Sequence, residues 1–288
     1  MTASTRSILG QPNAERPDGE YAFVAGLYVA ALVAPALVLA VSRVVTDAAV
    51  LYISFLVAVT GVTAVAGWVV SRTPGLAVIL GRHDSVWLLV VLPFGWFGGV
   101  FGGAALGVEP PAIAAPLAVL GTAGGMLLAI TLIAMSRTRH ANVALEDAVE
   151  LAEWDARWPR RWRRIAGGVS IVAFTASTLG ILAAFVFDSE WGWRLYYLLF
   201  VGVVLMNVLN PRTFRVTDAG LVVEHPLQRQ FRPWSAYTSY ALSDEALVIR
   251  SAVWWRPSHR CDRADISDID AVRAAINEIP LEGRESTF

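Results

Sequence analysis

Six long apolar segments alternate with shorter polar stretches over residues 1–210 of this chain. Each apolar segment runs for roughly 20 residues, which is the length that an α-helix needs to cross a hydrocarbon core about 30 Å thick. The pattern therefore predicts an α-helical polytopic membrane protein with six transmembrane helices, four over residues 21–135 and a hairpin over residues 166–210. The segments begin near Ala22, Ala48, Ser85, Pro111, Ala166 and Trp191.

The composition agrees with membrane insertion and excludes several classes of protein. The chain of 288 residues is 56% hydrophobic and has a mean hydropathy of +0.53, which soluble domains rarely reach. The formal net charge of −1 argues against a nucleic-acid-binding protein. The single cysteine, Cys261, excludes an intramolecular disulfide. The polar residues 1–20 do not have the pattern of a signal peptide and are predicted to be a disordered tail.

The placement of arginines predicts the orientation of the helices, because short cytoplasmic loops of membrane proteins are enriched in basic residues. The loop between segments two and three carries Arg72 and Arg82, and the linker over residues 136–165 carries seven arginines. The opposite loops are poor in arginine. We therefore expect a multi-pass plasma-membrane protein with both termini, the linker and a C-terminal domain over residues 211–288 in the cytoplasm.

The apolar segments carry no charged residue near their centres, which argues against a pump or an ion-coupled transporter. Segment three contains glycines at small-xxx-small spacing, among them Gly95, Gly99 and Gly103. Missing side chains let two helices approach closely, so these glycines are predicted to be helix-packing positions. Their partner is either segment four of the same chain or a second copy in a homo-oligomer, and the sequence leaves both alternatives open.

The 136–165 linker is predicted to be amphipathic and rich in arginine and tryptophan. Residues 141–157 lack glycine and proline and favour a helix. Trp154, Trp158 and Trp162 recur every four residues, which would form one stripe on a continuous helix. Because tryptophan and arginine suit the headgroup layer, the linker is either a plain membrane anchor or an element that senses lipid or a partner. Its candidate interface contacts are Trp158, Arg160, Arg161, Trp162, Arg163 and Arg164.

Residues 211–288 change to short alternating runs, which are typical of a small α+β domain. A β-hairpin is predicted over residues 214–223 around the turn signal Thr217-Asp218-Ala219-Gly220. Further strands are predicted within residues 230–242, 246–253 and 260–266, and a helix over residues 268–279 with Asp268 as its N-cap.

Part of this C-terminal region resembles a known family. The strings "FRVTDAGLVVE", "FRPWSAYTSYAL", "ALVIRS" and "HRCDRADI", followed by a short terminal helix, are similar to the bacterial and archaeal PH-like membrane proteins. Among these proteins, the region resembles the YcxB-like and YdbT-like groups. The resemblance covers residues 210 to about 280, with Trp234 and Ser235 before the middle strand, and leaves the first four helices outside. It implies a small curved antiparallel sheet closed by one helix, and it implies no catalytic residues.

Four residues of the C-terminal domain are of types that can ligate a metal ion. They are His225, His259, Cys261 and Asp262. The spacing of His259 and Cys261 is not that of a closed zinc site, and four ligands cannot be assembled from the sequence. We therefore predict no metal site and no cofactor.

A second candidate feature is the loop formed by Trp254, Trp255 and Arg256. Two aromatic rings beside a cation, tethered under a bilayer, could enter the membrane interface. In the alternative interpretation Trp254 packs in the core of the domain and the arginines of the domain pair with its acidic residues.

These features predict a non-enzymatic integral membrane protein that presents a PH-like module to lipid headgroups or to an unknown cytoplasmic protein. The alternative is a small-molecule transporter or channel, or an accessory subunit of one, that uses a cleft between the helices. An enzyme is disfavoured because His83, Asp84 and Ser85 are adjacent in the chain and cannot adopt the geometry of a catalytic triad. The patterns HExxH and GxSxG do not occur.

The predicted topology can be checked by labelling cysteines from outside the cell. A cysteine that replaces Ser189, between segments five and six, is expected to react with a membrane-impermeant maleimide. A cysteine that replaces Ser267 is expected to stay unlabelled, because the C-terminal domain is cytoplasmic. Labelling of both positions, or of position 267 alone, would contradict the topology.

Overall fold

A computed structural model describes residues 19–187, 190–195, 198–226, 228–254, 256 and 258–279 of the chain. Most of the predicted N-terminal tail, residues 280–288, Ser189 and Trp255 lie outside these residues. The chain divides into two compact units, Met1–Glu146 and Asp147–Phe288, whose boundary falls inside the predicted 136–165 linker. The two units are described in turn.

The first unit is entirely helical in its described part, with two long helices at its start and one at its end. Its third apolar segment is broken into short pieces, with a 3₁₀ turn over Asp84–Trp87 and a π-helical turn over Gly98–Gly102. The helices are α1 (Gly19–Val41), α2 (Ala48–Ser71), α3 (Leu76–Arg82), α4 (Leu88–Val91), α5 (Phe94–Phe97), α6 (Gly103–Ala105) and α7 (Ala114–Ala144).

Helix α1 contributes to the interior of this unit. Tyr21, Ala25 and Tyr28 are buried in a cluster with residues of α7. The hydroxyl groups of Tyr21 and Ser136 share a hydrogen bond of 2.9 Å, so a buried polar pair also joins α1 to α7. Such pairs satisfy side chains that would otherwise be unpaired in an apolar medium.

The second unit begins with strand β1 (Glu150–Ala156) and continues with helices α8 (Arg160–Phe187), α9 (Glu190–Leu195) and α10 (Leu198–Leu209). Helix α8 packs closely on both α9 and α10. A Cβ built on Gly180 would lie 2.5 Å from Leu195 Cβ, and one on Gly202 would lie 3.1 Å from the Phe174 ring. Glycines at these contacts are what lets the helices approach each other.

Among the described residues, five helical segments are long and apolar enough to cross a membrane. The sixth predicted segment appears as α9 and α10 on either side of residues 196–197, which lie outside the description, and neither helix alone reaches spanning length. The five segments are Gly19–Val41, Ala48–Ser71, Asp84–Ala105, Ala114–Ala144 and Arg160–Ala184.

Glycines do mediate packing between segments three and four, but they lie mainly on segment four. A Cβ on Gly125 would lie 2.9 Å from Pro93 Cγ, and one on Gly121 would lie 3.1 Å from the Trp96 ring. By contrast, a Cβ on Gly95 or Gly99 meets nothing within 4 Å, and one on Gly103 meets only Val108, at 3.9 Å. Within the described chain, Gly95 and Gly99 therefore do not make the expected contact with segment four, whereas their packing on a second copy stays a prediction.

The remainder of the second unit consists of two antiparallel sheets and one helix. The first sheet has the strand order β1-β2-β3-β4 and the second the order β5-β6-β7. Helix α11 (Ile269–Asn277) begins after Asp268, whose Oδ1 accepts a hydrogen bond of 2.9 Å from Ala271 N, as the N-cap prediction required. The strands are β2 (Arg212–Thr217), β3 (Gly220–His225), β4 (Gln228–Pro233), β5 (Tyr237–Leu242), β6 (Ala246–Ser251) and β7 (His259–Asp262).

The prediction of a helix over residues 141–157 is wrong beyond Ala144. Residues 150–156 form β1, which pairs antiparallel with β2 so that Trp154 lies opposite Phe214 and Ala156 opposite Arg212. Trp154 and Ala156 point into the core and are 4% and 2% exposed. Of the predicted 136–165 linker, residues 136–144 are the end of α7, residues 150–156 are a strand of the C-terminal domain, and residues 160–165 are the start of α8. The sheet of that domain therefore includes a strand that precedes residue 211.

The motif that carried the family resemblance has a structural explanation. The Thr217 hydroxyl donates to Gly220 O at 2.7 Å and accepts from Gly220 N at 3.1 Å, which closes the turn between β2 and β3. The Trp234 indole donates to Thr217 O at 2.8 Å. A side chain at Gly220 would overlap with Arg232 O on β4, so only glycine fits there. These residues serve the fold of the sheet.

The two sheets and α11 pack around one core and are called the two-sheet domain. This core includes the stacked rings of Trp154 and Phe214, whose centroids are 5.6 Å apart with an interplanar angle of 10°. Around them lie buried residues from both sheets and from α11, including Val216, Leu247 and Ile276. Because Trp154 belongs to β1, a fragment that starts at residue 211 would lack part of this core.

We expect Trp154→Ala to destabilise the two-sheet domain by about 3–5 kcal/mol, because it removes a buried ring and leaves a cavity. Trp162→Ala is the matched control, since Trp162 is 47% exposed on α8. Thermal unfolding of the full chain in detergent measures both variants. A Trp154→Ala protein as stable as the control would mean that β1 is not part of the folded core.

Candidate membrane-interface site

The site begins where strand β1 ends and helix α8 starts. Only residues 157–159 separate them. Proline suits the start of a helix because it has no N–H to leave unpaired, and Pro159 O accepts a hydrogen bond of 3.2 Å from Arg163 N. The four arginines predicted as interface contacts, Arg160, Arg161, Arg163 and Arg164, therefore lie in the first turns of the apolar helix α8.

Two of these arginines face acidic residues of the second sheet. Arg160 Nε lies 4.0 Å from Asp262 Oδ2, and the guanidinium of Arg163 lies 4.0 Å from both Asp262 and Asp265. The Arg163 side chain is 23% exposed and that of Arg160 is 69% exposed. Arg161 and Arg164 are exposed on the helix surface. The structure thus gives the four positions different environments, which their sequence spacing did not reveal.

The segment around Asp262 is bound to the end of β1 by backbone hydrogen bonds. Asp262 N donates to Arg157 O at 2.8 Å, and Arg157 N donates to Asp265 Oδ2 at 3.0 Å. Asp262 Oδ1 accepts from Ala264 N at 3.2 Å and so caps the following 3₁₀ turn. Sequence reasoning considered Asp262 only as a metal-capable residue and did not consider Asp265. The short spacing of the two carboxylates in "CDRAD" was the available signal.

The tryptophans do not form the predicted stripe. Trp154 is in the core on a strand, Trp158 is half-buried in the connection, and Trp162 is exposed on α8. The strand–turn–helix path separates their directions, because a four-residue repeat aligns side chains only within one continuous helix. The Arg212 guanidinium lies over the Trp158 ring at 6.0 Å, at the outer limit of a cation–π contact. This contact joins the start of β2 to the residues that precede α8.

The loop between β6 and β7 exposes Trp254, which is 89% accessible. It therefore does not pack in the core, and the alternative interpretation fails for this residue. Arg256 is half-buried, and Trp255 lies outside the described residues. Insertion of this loop into the membrane interface stays a prediction.

Pairing of arginines with acidic residues does occur elsewhere on the domain. Arg215 lies within 3.6 Å of Glu150, Glu153 and Glu224, and Arg229 Nε lies 2.6 Å from Glu224. Arg215 on β2 lies opposite Val222 on β3, so Glu224 is its diagonal neighbour, while Glu153 lies directly opposite Arg215 on β1. Exposed ion pairs of this kind contribute little individually, so we assign them to the sheet surface and not to a site.

Of the four metal-capable residues, Cys261 and Asp262 are buried in the domain, and His225 and His259 are half-buried. Burial raises the pKa of the Cys261 thiol to about 12, so the sulfur is a neutral thiol and a poor metal ligand. Burial, and then the charges of Arg232, Arg212 and His225, lower the pKa of His259 to about 4. His259 Nε2 and the Tyr237 hydroxyl are 3.4 Å apart. Within the described ranges, no three histidine, cysteine or acidic side chains are grouped so as to hold a metal ion.

Comparisons with protein-family models, with curated proteins and with solved structures find no match to this chain. The resemblance to PH-like membrane proteins therefore stays a prediction.

The environment of His259 predicts a pH dependence of stability. The unfolded residue has a pKa near 6.5, and in the folded protein the ring is surrounded by Phe214, Tyr237, Arg212, Arg232 and His225. Between about pH 6.5 and pH 4 the unfolded chain binds a proton that folded His259 does not. The free energy of unfolding therefore decreases as the pH is lowered from about 6.5 to about 4, and this residue accounts for on the order of 3 kcal/mol of the decrease.

We expect His259→Phe to show a smaller loss of thermal stability between pH 6.5 and pH 4 than the parent protein. His83→Gln, at an exposed position, is the control and should keep the parent slope. Identical slopes for all three proteins would show that His259 is not held neutral by the fold.

Proposed function

We propose that this chain is a non-enzymatic integral protein of the plasma membrane whose two-sheet domain binds lipid headgroups on the cytoplasmic side. The proposed topology has six spans, with α9 and α10 in the region of the sixth, and both termini in the cytoplasm. The observation that carries the proposal is the pairing of β1 with β2.

This pairing restricts the path of the chain through the membrane. Strand β1 precedes α8 and β2 follows α10, and two strands that share backbone hydrogen bonds must lie on the same side of the bilayer. The chain between Ala156 and Arg212 therefore crosses an even number of times. Helix α8 is long enough for one crossing, and the region of α9 and α10 lies between α8 and β2, where the return must occur.

The same connections keep the domain close to the headgroup layer. Three residues separate β1 from α8, and two residues separate α10 from β2. If α8 spans the membrane, Arg160, Arg161, Arg163 and Arg164 lie at headgroup level on the side of the domain. Near an anionic leaflet each such arginine contributes about 1 kcal/mol of attraction. Tryptophans at 158 and 162 suit the same depth.

The architecture of the domain also supports the PH-like part of the proposal. The antiparallel strands followed by α11 agree with what the family resemblance implies, although the first strand comes from before the α8–α10 helices. A module with PH-like architecture that lies next to a membrane is well placed to bind lipid headgroups. A cytoplasmic protein partner is the competing ligand.

The transport alternative finds less support in the described helices. A groove in the first unit, of about 530 Å³, is lined by Leu32, Leu39, Leu92, Trp96 and neighbouring glycines and valine. The Trp96 indole N–H already donates to Leu32 O at 3.0 Å. The lining offers no charged side chain to bind a polar solute, so we favour the binding module.

The test is thermal unfolding of the full chain in neutral detergent with added lipids. Phospholipids are expected to stabilise the protein more than diacylglycerol, which has the same chains but no phosphate. The double variant Arg161→Gln/Arg164→Gln should lose about 2 kcal/mol of the stabilisation by anionic phospholipid. Arg43→Gln, in an exposed loop that is expected on the opposite side of the membrane, is the control. Equal stabilisation by diacylglycerol and phospholipid would favour a protein partner instead.

A further inference from the structure

A polar groove of about 550 Å³ lies beside the start of α8, entirely within the second unit. Its lining comes from three segments that are distant in sequence. These are the first turn of α8, the turn between β5 and β6, and the turn after β7. The charged lining residues are Arg160, Arg161, Asp244, Glu245, Asp262 and Arg263.

Hydrogen bonds between the segments that line the groove hold it in shape. Asp262 N donates to Arg157 O at 2.8 Å, which ties the turn after β7 to the residues before α8. Arg263 N donates to Glu245 O at 3.1 Å, which ties the same turn to the β5–β6 connection. Arg263 also pairs with Asp244 at 3.6 Å. The three lining segments are therefore held to one another by backbone hydrogen bonds.

Asp262 is the lining residue that points most directly to a ligand. The residue is 5% exposed, and its Oδ1 is used to cap Ala264 N. Its Oδ2 is buried and accepts no hydrogen bond from any described residue. The nearest cations, on Arg160 and Arg163, are at 4.0 Å, beyond hydrogen-bonding distance. A buried carboxylate oxygen without a donor is costly, so the site favours a ligand that donates a hydrogen bond to it.

The charges around the groove are of both signs. The end of β7 and the two turns contribute Asp244, Glu245 and Asp262 together with Arg263, which pairs with Asp244, while α8 contributes Arg160 and Arg161. The N-terminus of α8 adds further preference for an anion beside those arginines. A ligand that fits carries a cationic hydrogen-bond donor and a phosphate in one small group.

We propose that this groove binds the headgroup of an aminophospholipid, with its primary ammonium at Asp262 and its phosphate at Arg160 and Arg161. The proposal rests on the proposed function, because it specifies the headgroup that the two-sheet domain recognises. Phosphatidylethanolamine is the simplest lipid with this chemistry. Phosphatidylcholine carries the same charges, but its quaternary ammonium has no N–H to donate to Asp262 Oδ2.

The surface of α8 explains why the ligand is a lipid and not a free amino phosphate. Ile165 lies one turn after Arg161 on the same face of the helix, and Val172 lies three turns after it. Their side chains are 49% and 67% exposed, and both are within the candidate span Arg160–Ala184. Acyl chains attached to a headgroup in the groove would run along this apolar face.

The experiment measures lipid binding to the full chain in neutral detergent, by native mass spectrometry and by thermal unfolding. The probes are phosphatidylethanolamine, phosphatidylcholine, phosphatidylglycerol, diacylglycerol and free phosphoethanolamine. We expect binding of phosphatidylethanolamine to exceed that of phosphatidylcholine by about tenfold, the usual worth of a charge-assisted hydrogen bond. Free phosphoethanolamine is expected to bind far more weakly than the lipid.

Asp262→Asn is expected to abolish the preference for phosphatidylethanolamine over phosphatidylcholine, because the amide keeps an oxygen for the cap but loses the negative charge. Asp268→Asn, at the exposed N-cap of α11, is the matched control and should keep the preference. If Asp262→Asn fails to fold, Arg161→Gln provides the second test. It should weaken both phospholipids while leaving their ratio unchanged.

The outcomes separate this inference from the proposed function. Equal binding of phosphatidylethanolamine and phosphatidylcholine, or tighter binding of phosphatidylglycerol, would overturn the aminophospholipid assignment while leaving headgroup binding intact. Free phosphoethanolamine that binds as tightly as the lipid would overturn the assignment to a membrane ligand. Phospholipid binding no tighter than that of diacylglycerol would overturn both proposals.

Discussion

Strands β1 and β2 are hydrogen-bonded neighbours, yet three helices lie between them in the chain. The rest of the second unit depends on this pairing. It brings Trp154 onto Phe214 in the core, and it brings the end of β1 to the turn that contains Asp262. The groove beside α8 exists because residues before α8 and residues after α10 are held in one domain. Without the pairing, the arginines of α8 would start an ordinary apolar helix with no acidic residues nearby.

Local physical signals were sufficient for the parts of the fold that form locally. The apolar length of α1, α2, α7 and α8 is a property of each segment. Most of the ends of these helices lie within a few residues of the predicted positions. The turn at Thr217 and Gly220 and the cap at Asp268 depend on neighbours within three residues. In such cases the sequence contains nearly all of the determining interactions.

Strand β1 was missed because its residues prefer a helix when considered alone. Glutamate, leucine and alanine are good helix formers, and no glycine or proline interrupts them. Pairing with β2 overrides that preference, which is common for strands whose stability comes from cross-strand contacts. An alternating signal was nevertheless present, since Ala152, Trp154 and Ala156 are the positions that turn toward the core. The candidate site was only half predictable for the same reason. The arginines of α8 are visible as a cluster, but Asp262 joins them through contacts between segments about a hundred residues apart.

The position of β1 before the helices has a consequence for synthesis of the protein. When β1 leaves the ribosome, its partner strand has not yet been made, and α8, α9 and α10 must follow before β2 appears. The domain can therefore complete its first sheet only after the intervening helices have been synthesised. A chain in which α8 inserted but the return segment did not would leave β1 and β2 on opposite sides of the bilayer, with Trp154 and the edge of β2 uncovered. Completion of the first sheet is thus tied to the path of the intervening helices, because β1 and β2 can pair only if that path returns to the side on which it began.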